Sequence, residues 1–186
     1  IPLANRRQQT FSLAASPEGL LAVGLGGGQV MLWDSETRQW LHTFEDHRAY
    51  VLCAAFSADG SRLATAGVDQ NIFLYETRSR KLLRRFKGHE GAIDAIQFSG
   101  DGRWLVSGSH QDQSLRVWEV IDRAGSEASI ASTRLLGFTD SNRSLVGWSA
   151  DGYARMDVKT GATRPLSIAT AQATNSDDET LWSVSP

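Results

Sequence analysis

With 186 residues, 41% of them hydrophobic and 22% charged, the chain has the composition of an ordinary globular domain or of part of a larger one. A net charge of -2 and a pI near 6.1 give no whole-chain attraction to nucleic acid or to an anionic membrane. Cys53 is the single cysteine, which excludes an intrachain disulfide and a multi-cysteine zinc site. No apolar run approaches the roughly 20 residues that a membrane-spanning helix needs. The chain opens on Ile1 rather than Met, so the natural N-terminus is expected upstream and any targeting signal with it.

Residues 1–10 carry Asn5, Arg6, Arg7, Gln8 and Gln9 without a clear period and read as a linker or a stray strand of a neighbouring unit. A first unit, 11–46, holds strand-like runs at Phe11–Ala15, Leu20–Gly24, Val30–Trp33 and Gln39–Phe44. Its turns fall at Ser16–Gly19, Gly26–Gly28 and Ser35–Arg38, Asp34 follows Trp33, and the unit closes at Asp46–His47. A second unit, 51–87, repeats the plan with Val51–Phe56, a turn at Ala58–Gly60, Arg62–Ala66, a turn with Asp69, Ile72–Tyr75 and Lys81–Phe86, then Gly88–His89. The third, 93–132, has Ile93–Phe98, a turn at Gly100–Gly102, Trp104–Ser109, a turn with Asp112, and Leu115–Trp118 closed by Glu119. Its fourth strand has no clear place in the small, polar stretch 122–132. A fourth unit, 134–166, reads as Arg134–Phe138, a turn at Ser141–Asn142, Ser144–Trp148, a turn at Asp151–Gly152, Tyr153–Val158 and Ala162–Leu166. A fifth starts near Ile168, turns at Asp177–Asp178 and reaches Pro186 with two strands.

Several independent markers share one spacing. His47 to His89, Asp59 to Asp101, Trp33 to Tyr75 and Phe56 to Phe98 are each 42 residues apart, Tyr75 to Trp118 is 43, and Phe98 to Phe138 is 40. Four short strands per period of about 40–45 residues, with almost no 3.6-residue apolar period, describe a repeat of propeller blades rather than helices. With Gly88–His89 at the entry and Trp118–Glu119 at the exit, the unit 88–119 resembles one repeat of the WD-repeat β-propeller family. The resemblance implies an all-β fold of four-stranded antiparallel blades, as a partial ring or a fragment of a propeller of about seven blades. Blades stack face to face, so inner strands such as Val51–Phe56 are expected to be covered on both sides. The outer strands are more polar. In the outer run Arg78–Lys87, Leu82, Leu83 and Phe86 are expected to turn inward beneath Arg78, Arg80, Lys81, Arg84, Arg85 and Lys87.

In that family a buried tetrad joins the His of Gly-His, a Ser or Thr of the second strand, the Asp of the next turn and the Trp of the third strand. The third unit matches with His89, Ser107, Asp112 and Trp118, with one extra residue between Ser107 and Asp112 that implies a slightly bulged turn. The second matches with His47, Thr65 and Asp69 but has Tyr75 in place of Trp. The first keeps Trp33, with Val23 and Gly27 at the Ser and Asp positions, and the fourth has Met156 at the Trp position. Each satisfied bond contributes about 1 kcal/mol net, whereas an orphaned buried partner costs roughly 1–3 kcal/mol. Such a network is therefore expected whole or dismantled together, and the second unit is the partial case.

Three other constellations have competing readings. His89, Ser107 and Asp112 contain the residue types of a hydrolase triad, but His47, Thr65 and Asp69 repeat the set one period earlier, which favours bracing over catalysis. Gly24–Gly28 follows a strand, as a phosphate-cradling loop would, yet another strand follows where that motif needs a helix. The basic run Arg78–Lys87 is either a nucleic-acid surface or an outer edge kept charged against stray strands. Cys53 sits mid-strand as inert core, His42 and His110 lack a companion ligand, and Asp177, Asp178 and Glu179 read as a solvated turn.

The resemblance implies that partners bind where the loops between fourth and first strands and between second and third strands gather. Here that places Arg48, Tyr50, Glu90, His110 and Gln111 on a protein-binding face, in a non-catalytic interaction scaffold or ligand-sensing module without a cofactor or metal. The expected compartment is the cytoplasm, the expected partners are proteins rather than nucleic acid or membrane, and the alternative is a nucleic-acid-associated propeller using 78–87. A ring left open would expose roughly 500 Å² of apolar surface on a blade face, about 12 kcal/mol at ~25 cal/mol per Å². The missing blades are thus expected from a longer chain or from self-association. A small ring closed by pairing Leu3–Gln9 with the fifth unit is the other arrangement.

Overall fold

A computed structural model describes residues 9–120, 127–131, 134–139, 144–149, 152–158, 160 and 162–165. Sixteen strands form four separate four-stranded antiparallel sheets, and no helix occurs among the described residues. The first sheet is β1 (Thr10–Ala15), β2 (Leu20–Leu25), β3 (Val30–Asp34) and β4 (Gln39–Phe44). The second is β5 (Val51–Phe56), β6 (Arg62–Gly67), β7 (Asn71–Glu76) and β8 (Lys81–Lys87). The third is β9 (Ala95–Phe98), β10 (Trp104–Ser109), β11 (Ser114–Glu119) and β12 (Glu127–Ala131). The fourth is β13 (Arg134–Thr139), β14 (Ser144–Ser149), β15 (Gly152–Asp157) and β16 (Thr163–Pro165). Every sheet is a meander with neighbours in chain order, and β5 lies beside both β1 and β9, so the sheets stand as blades around their innermost strands.

The repeat reaches the backbone. Arg38 and Arg80, 42 residues apart, both take a left-handed φ (57° and 60°) in the turn before the outer strand. Gln70 and Gln113 do so at 63° and 54° in the loop between second and third strands, where Gly28 (φ 84°) stands in the first blade. The extra residue of the third repeat sits in this loop: β10 and β11 stay in register without a bulge, from Trp104 opposite Glu119 to Ser109 opposite Ser114.

Three apolar layers lie between consecutive blades. Ala22, Val30, Leu32 and Phe44 of the first pack on Val51, Leu63, Phe73 and Tyr75 of the second. Ala64, Ala66, Ile72, Leu74 and Phe86 of the second pack with Ile93, Phe98, Leu105, Trp118 and Val120. Val106 and Val117 of the third meet Leu145, Met156 and Val158. Alternate residues of one strand serve opposite layers, Leu63 toward the first blade and Ala64 toward the third, which is why these strands are apolar on both faces.

Three expectations need correction. The third blade's outer strand exists, as β12 within the polar stretch; short pairing partners for β11 suffice at a blade's edge, and apolar content was the wrong signal there. Leu82 and Leu83 do not turn inward. They are 45% and 50% exposed, and only Phe86 of that strand is buried. A register shift opposite Leu74 and Tyr75 leaves Leu83 unpaired, and Leu82 lies on the outermost strand beyond the reach of the neighbouring blade. Nor is every inner strand covered twice: in β1, Phe11 is 39% and Leu13 67% exposed. The same register positions show why. Leu63, Phe73 and Tyr75 are buried by the first blade, whereas their counterparts Leu21, Met31 and Trp33 in the first blade are only partly covered. The expected fifth unit from Ile168, the segment 1–8 with its alternative ring closure, and the turns at Ser141–Asn142 and Asp177–Glu179 lie outside the described residues.

Candidate protein-interaction face and its bracing

The third blade brings its four tetrad residues into one chain of hydrogen bonds. Trp118 Nε1–H donates to Ser107 Oγ at 2.8 Å, Ser107 Oγ meets His89 Nε2 at 2.7 Å, and His89 Nδ1 meets Asp112 Oδ2 at 2.7 Å. The directions follow from the chemistry. The ionised Asp112 carboxylate can only accept, so the single proton of a neutral His89 sits on Nδ1 facing it, and Nε2 accepts from the Ser107 hydroxyl, whose oxygen takes the indole N–H. Burial pushes the His89 imidazole below its ordinary value of 6.5 despite Asp112, which keeps the ring neutral as this chain of donors requires. Burial alone would raise the Asp112 carboxyl, but hydrogen bonds from Ser114, His89 and the Glu90 N–H outweigh it and hold that carboxyl far below the usual range. Ser107 is completely buried and its oxygen is engaged from two sides, so no substrate carbonyl reaches it.

The second blade builds a different version. His47 Nδ1 meets Asp69 at 3.0 Å and Nε2 meets Thr65 Oγ1 at 2.9 Å, matching the third blade. The Tyr75 hydroxyl, in the place of the indole, donates to Asp46 Oδ2 at 3.0 Å. Asp46 stands where the third blade has Gly88, and the two departures from the repeat pattern answer each other. At Gly88 a Cβ would come within 2.8 Å of Arg116 and 3.1 Å of the Trp118 ring, so the guanidinium and the larger indole together leave no room for a side chain there. The smaller phenol leaves room for one, and Asp46 fills it with an acceptor. The network in the second blade is therefore rebuilt rather than partial. Asp46 is the residue that sequence reasoning missed; the signal was two departures in one repeat.

The tetrad acids also fix the surface loops. Asp69 accepts the N–H of Arg48 at 3.0 Å, and Asp112 accepts the N–H of Glu90 at 2.9 Å. Each buried network thus grips the loop that enters its own blade, one residue past its histidine. Beyond these points Arg48, Tyr50, Glu90, His110 and Gln111 are all exposed at the same end of the blades. They are not equally free. Gln111 Oε1 accepts the Ala92 N–H at 2.8 Å and so ties its loop to the one before β9, and Gln70 reaches the Glu90 carbonyl at 3.2 Å. The Tyr50 ring, 49% exposed, stacks on Phe11 with centroids 4.8 Å apart. Phe11, expected in the strand core, belongs to this surface together with Val68, whose N–H donates to the Tyr50 carbonyl at 2.9 Å. No group of His, Cys, Asp and Glu among the described residues is arranged to hold a metal ion. No helix of the described residues is long and apolar enough to cross a membrane. Cys53 packs at the second interface, its Sγ 3.5 Å from the Ile93 carbonyl, and burial pushes its thiol far up.

The family described as "WD domain, G-beta repeat" matches residues 38–76 and 80–119. Each match starts at an outer strand, β4 or β8, and runs through the three inner strands of the next blade, so the sequence repeat is offset from the structural blade by one strand. A similar protein is "Intraflagellar transport protein 122 homolog" of Xenopus tropicalis, 26% identical over 65 residues, which are 35% of this chain and 6% of that protein. A similar solved structure is a chain from "Crystal Structure of Mitotic Checkpoint Complex", with a TM-score of 0.75 and 20% identity, covering 86% of this chain and 52% of that one. The chain thus spans about half the length of the solved chain and a small part of the curated relative. Residues 38–76 and 80–119 match the WD-repeat family model, and the four-stranded blades share the fold of a β-propeller section.

Proposed function

We propose that this chain is a non-catalytic section of a cytoplasmic WD-repeat propeller that holds a protein partner on the face carrying Arg48, Tyr50, Glu90 and His110. The observation behind this reading is the double use of Asp69 and Asp112, each bonded to a buried histidine and to the N–H of an exposed loop residue. Loops held this way lose little freedom when a partner docks, which favours tight association. Tyr and Arg are the residue types enriched at interface hot spots, and here they stand beside Phe11 and Val68, both partly exposed apolar side chains. In this reading the uncovered face of the first blade, with Leu13, Met31, Trp33 and Trp40, receives a further blade from a longer polypeptide or from a second copy. A photo-crosslinking side chain at position 50 of the full-length protein tests the proposal, with position 103 at the opposite end of the blades as control. Discrete adducts from position 50 and none from 103 are expected; adducts from 103 alone refute it.

A further inference from the structure

The outer strand of the second blade has features that edge protection does not account for. β8 is the last strand of its sheet, and no described strand pairs with its outer side. Arg78 and Arg80 precede it, Lys81 opens it, and Arg85 and Lys87 close it. None of these five cations forms an ion pair among the described residues. Between the two groups lie Leu82 and Leu83, about half exposed. Arg84 is spent internally, donating to the Glu119 carbonyl at 3.1 Å and lying over the Phe86 ring at 4.7 Å. Arg85 reaches Asn71 and the Phe73 ring while remaining exposed.

Cations on an edge discourage strand pairing between copies. The sibling edge β4, with the sequence QWLHTF, stands in the same place in the first blade with no Lys, Arg, Asp or Glu at all. A merely protected edge also has no use for two half-exposed leucines between its charges. Single-stranded nucleic acid is read through a cationic groove with aromatic platforms for the bases. β8 offers aliphatic side chains instead, and its one aromatic, Phe86, is buried under Arg84. Cations at both ends, an apolar pair in the middle and an unpaired backbone edge complement an extended peptide with the opposite pattern.

We propose that β8 is a second docking surface for an acidic extended peptide segment, its central apolar side chains on Leu82 and Leu83 and its flanking carboxylates on Arg78, Arg80, Lys81, Arg85 and Lys87. This surface is separate from the loop face of Arg48 and Tyr50, so either can fail without the other. The test is fluorescence anisotropy on the full-length protein with a labelled, capped peptide Asp-Glu-Ile-Val-Glu-Asp. The charge-inverted Lys-Arg-Ile-Val-Arg-Lys and a single-stranded oligothymidine serve as parallel probes. The acidic peptide is expected to bind, to weaken as salt rises, and to lose at least about tenfold in affinity in both L82S/L83S and K81E/K87E. These side chains are exposed, so the melting temperatures of the variants are expected to match the parent, which separates lost binding from lost fold. Failure of the acidic peptide to bind at low salt overturns the proposal. Preferential binding of oligothymidine that L82S/L83S leaves unchanged also overturns it, in favour of a nucleic-acid surface.

Discussion

Replacing Ser107 with alanine separates a bracing network from a catalytic one. The Ser107 oxygen accepts from Trp118 at 2.8 Å and contacts His89 Nε2 at 2.7 Å, and all three side chains are buried. The Ala side chain fits the space but leaves an indole N–H and an imidazole nitrogen without partners and without access to water. An orphaned buried group costs roughly 1–3 kcal/mol, so the pair amounts to about 2–6 kcal/mol. That is a large part of the ~5–15 kcal/mol that holds a domain together. Thr65→Ala in the second blade orphans His47 Nε2 but spares the Tyr75 bond to Asp46, so its expected loss is about half as large. Urea unfolding followed by tryptophan fluorescence measures both. A Ser107→Ala protein within 0.5 kcal/mol of the parent (about one net hydrogen bond's lower bound) refutes the account of this site.

Further outcomes follow from the same geometry. Tyr75→Trp and Asp46→Gly each destabilise the second blade, by crowding and by an orphaned hydroxyl, about 1–3 kcal/mol apiece, while the double variant restores the Gly–Trp arrangement and recovers most of the loss. A thermal double-mutant cycle checks this, and additive single effects contradict it. Because the folded-state value of His89 lies below its ordinary 6.5, its neutral form stabilises the fold fully above that pH, and the contribution is lost as pH falls through the lowered folded value. Melting temperature should therefore fall between pH 7.5 and 5 (about one unit either side of the ordinary histidine value), with a shallower slope in His89→Gln. Gly67→Ala places a Cβ 1.9 Å from the Tyr50 carbonyl, an oxygen that also accepts the Val68 N–H. It is expected to cost at least about 2 kcal/mol and to yield mostly insoluble protein, read as the soluble fraction on expression.

The four described blades and the two histidine networks were legible because they rest on periodic markers: turn glycines, alternate apolar residues and the His, Ser or Thr and Asp positions. What escaped depended on neighbours rather than on period. The apolar character of Phe11 and Leu13 does not reveal whether another blade covers them. Leu82 and Leu83 look like core in a run of cations, but the register shift beside Tyr75 leaves Leu83 unpaired and Leu82 lies on the outermost strand. The strand Glu127–Ala131 (EASIA) is short and built mostly of small residues, and at the blade's edge its contribution is backbone pairing to β11. The exchange of Asp46 and Tyr75 was visible as two anomalies, but their contact required three dimensions.

The central claim is that these blades form an open section of a propeller whose first face needs a further blade. Sedimentation velocity of residues 1–186 alone, at micromolar concentration, tests it most directly. The account predicts species heavier than the 20.3 kDa chain, reduced to monomer when Leu13 and Trp40 are replaced by glutamate. A stable, cooperatively melting monomer of 20.3 kDa that those substitutions leave unchanged contradicts it.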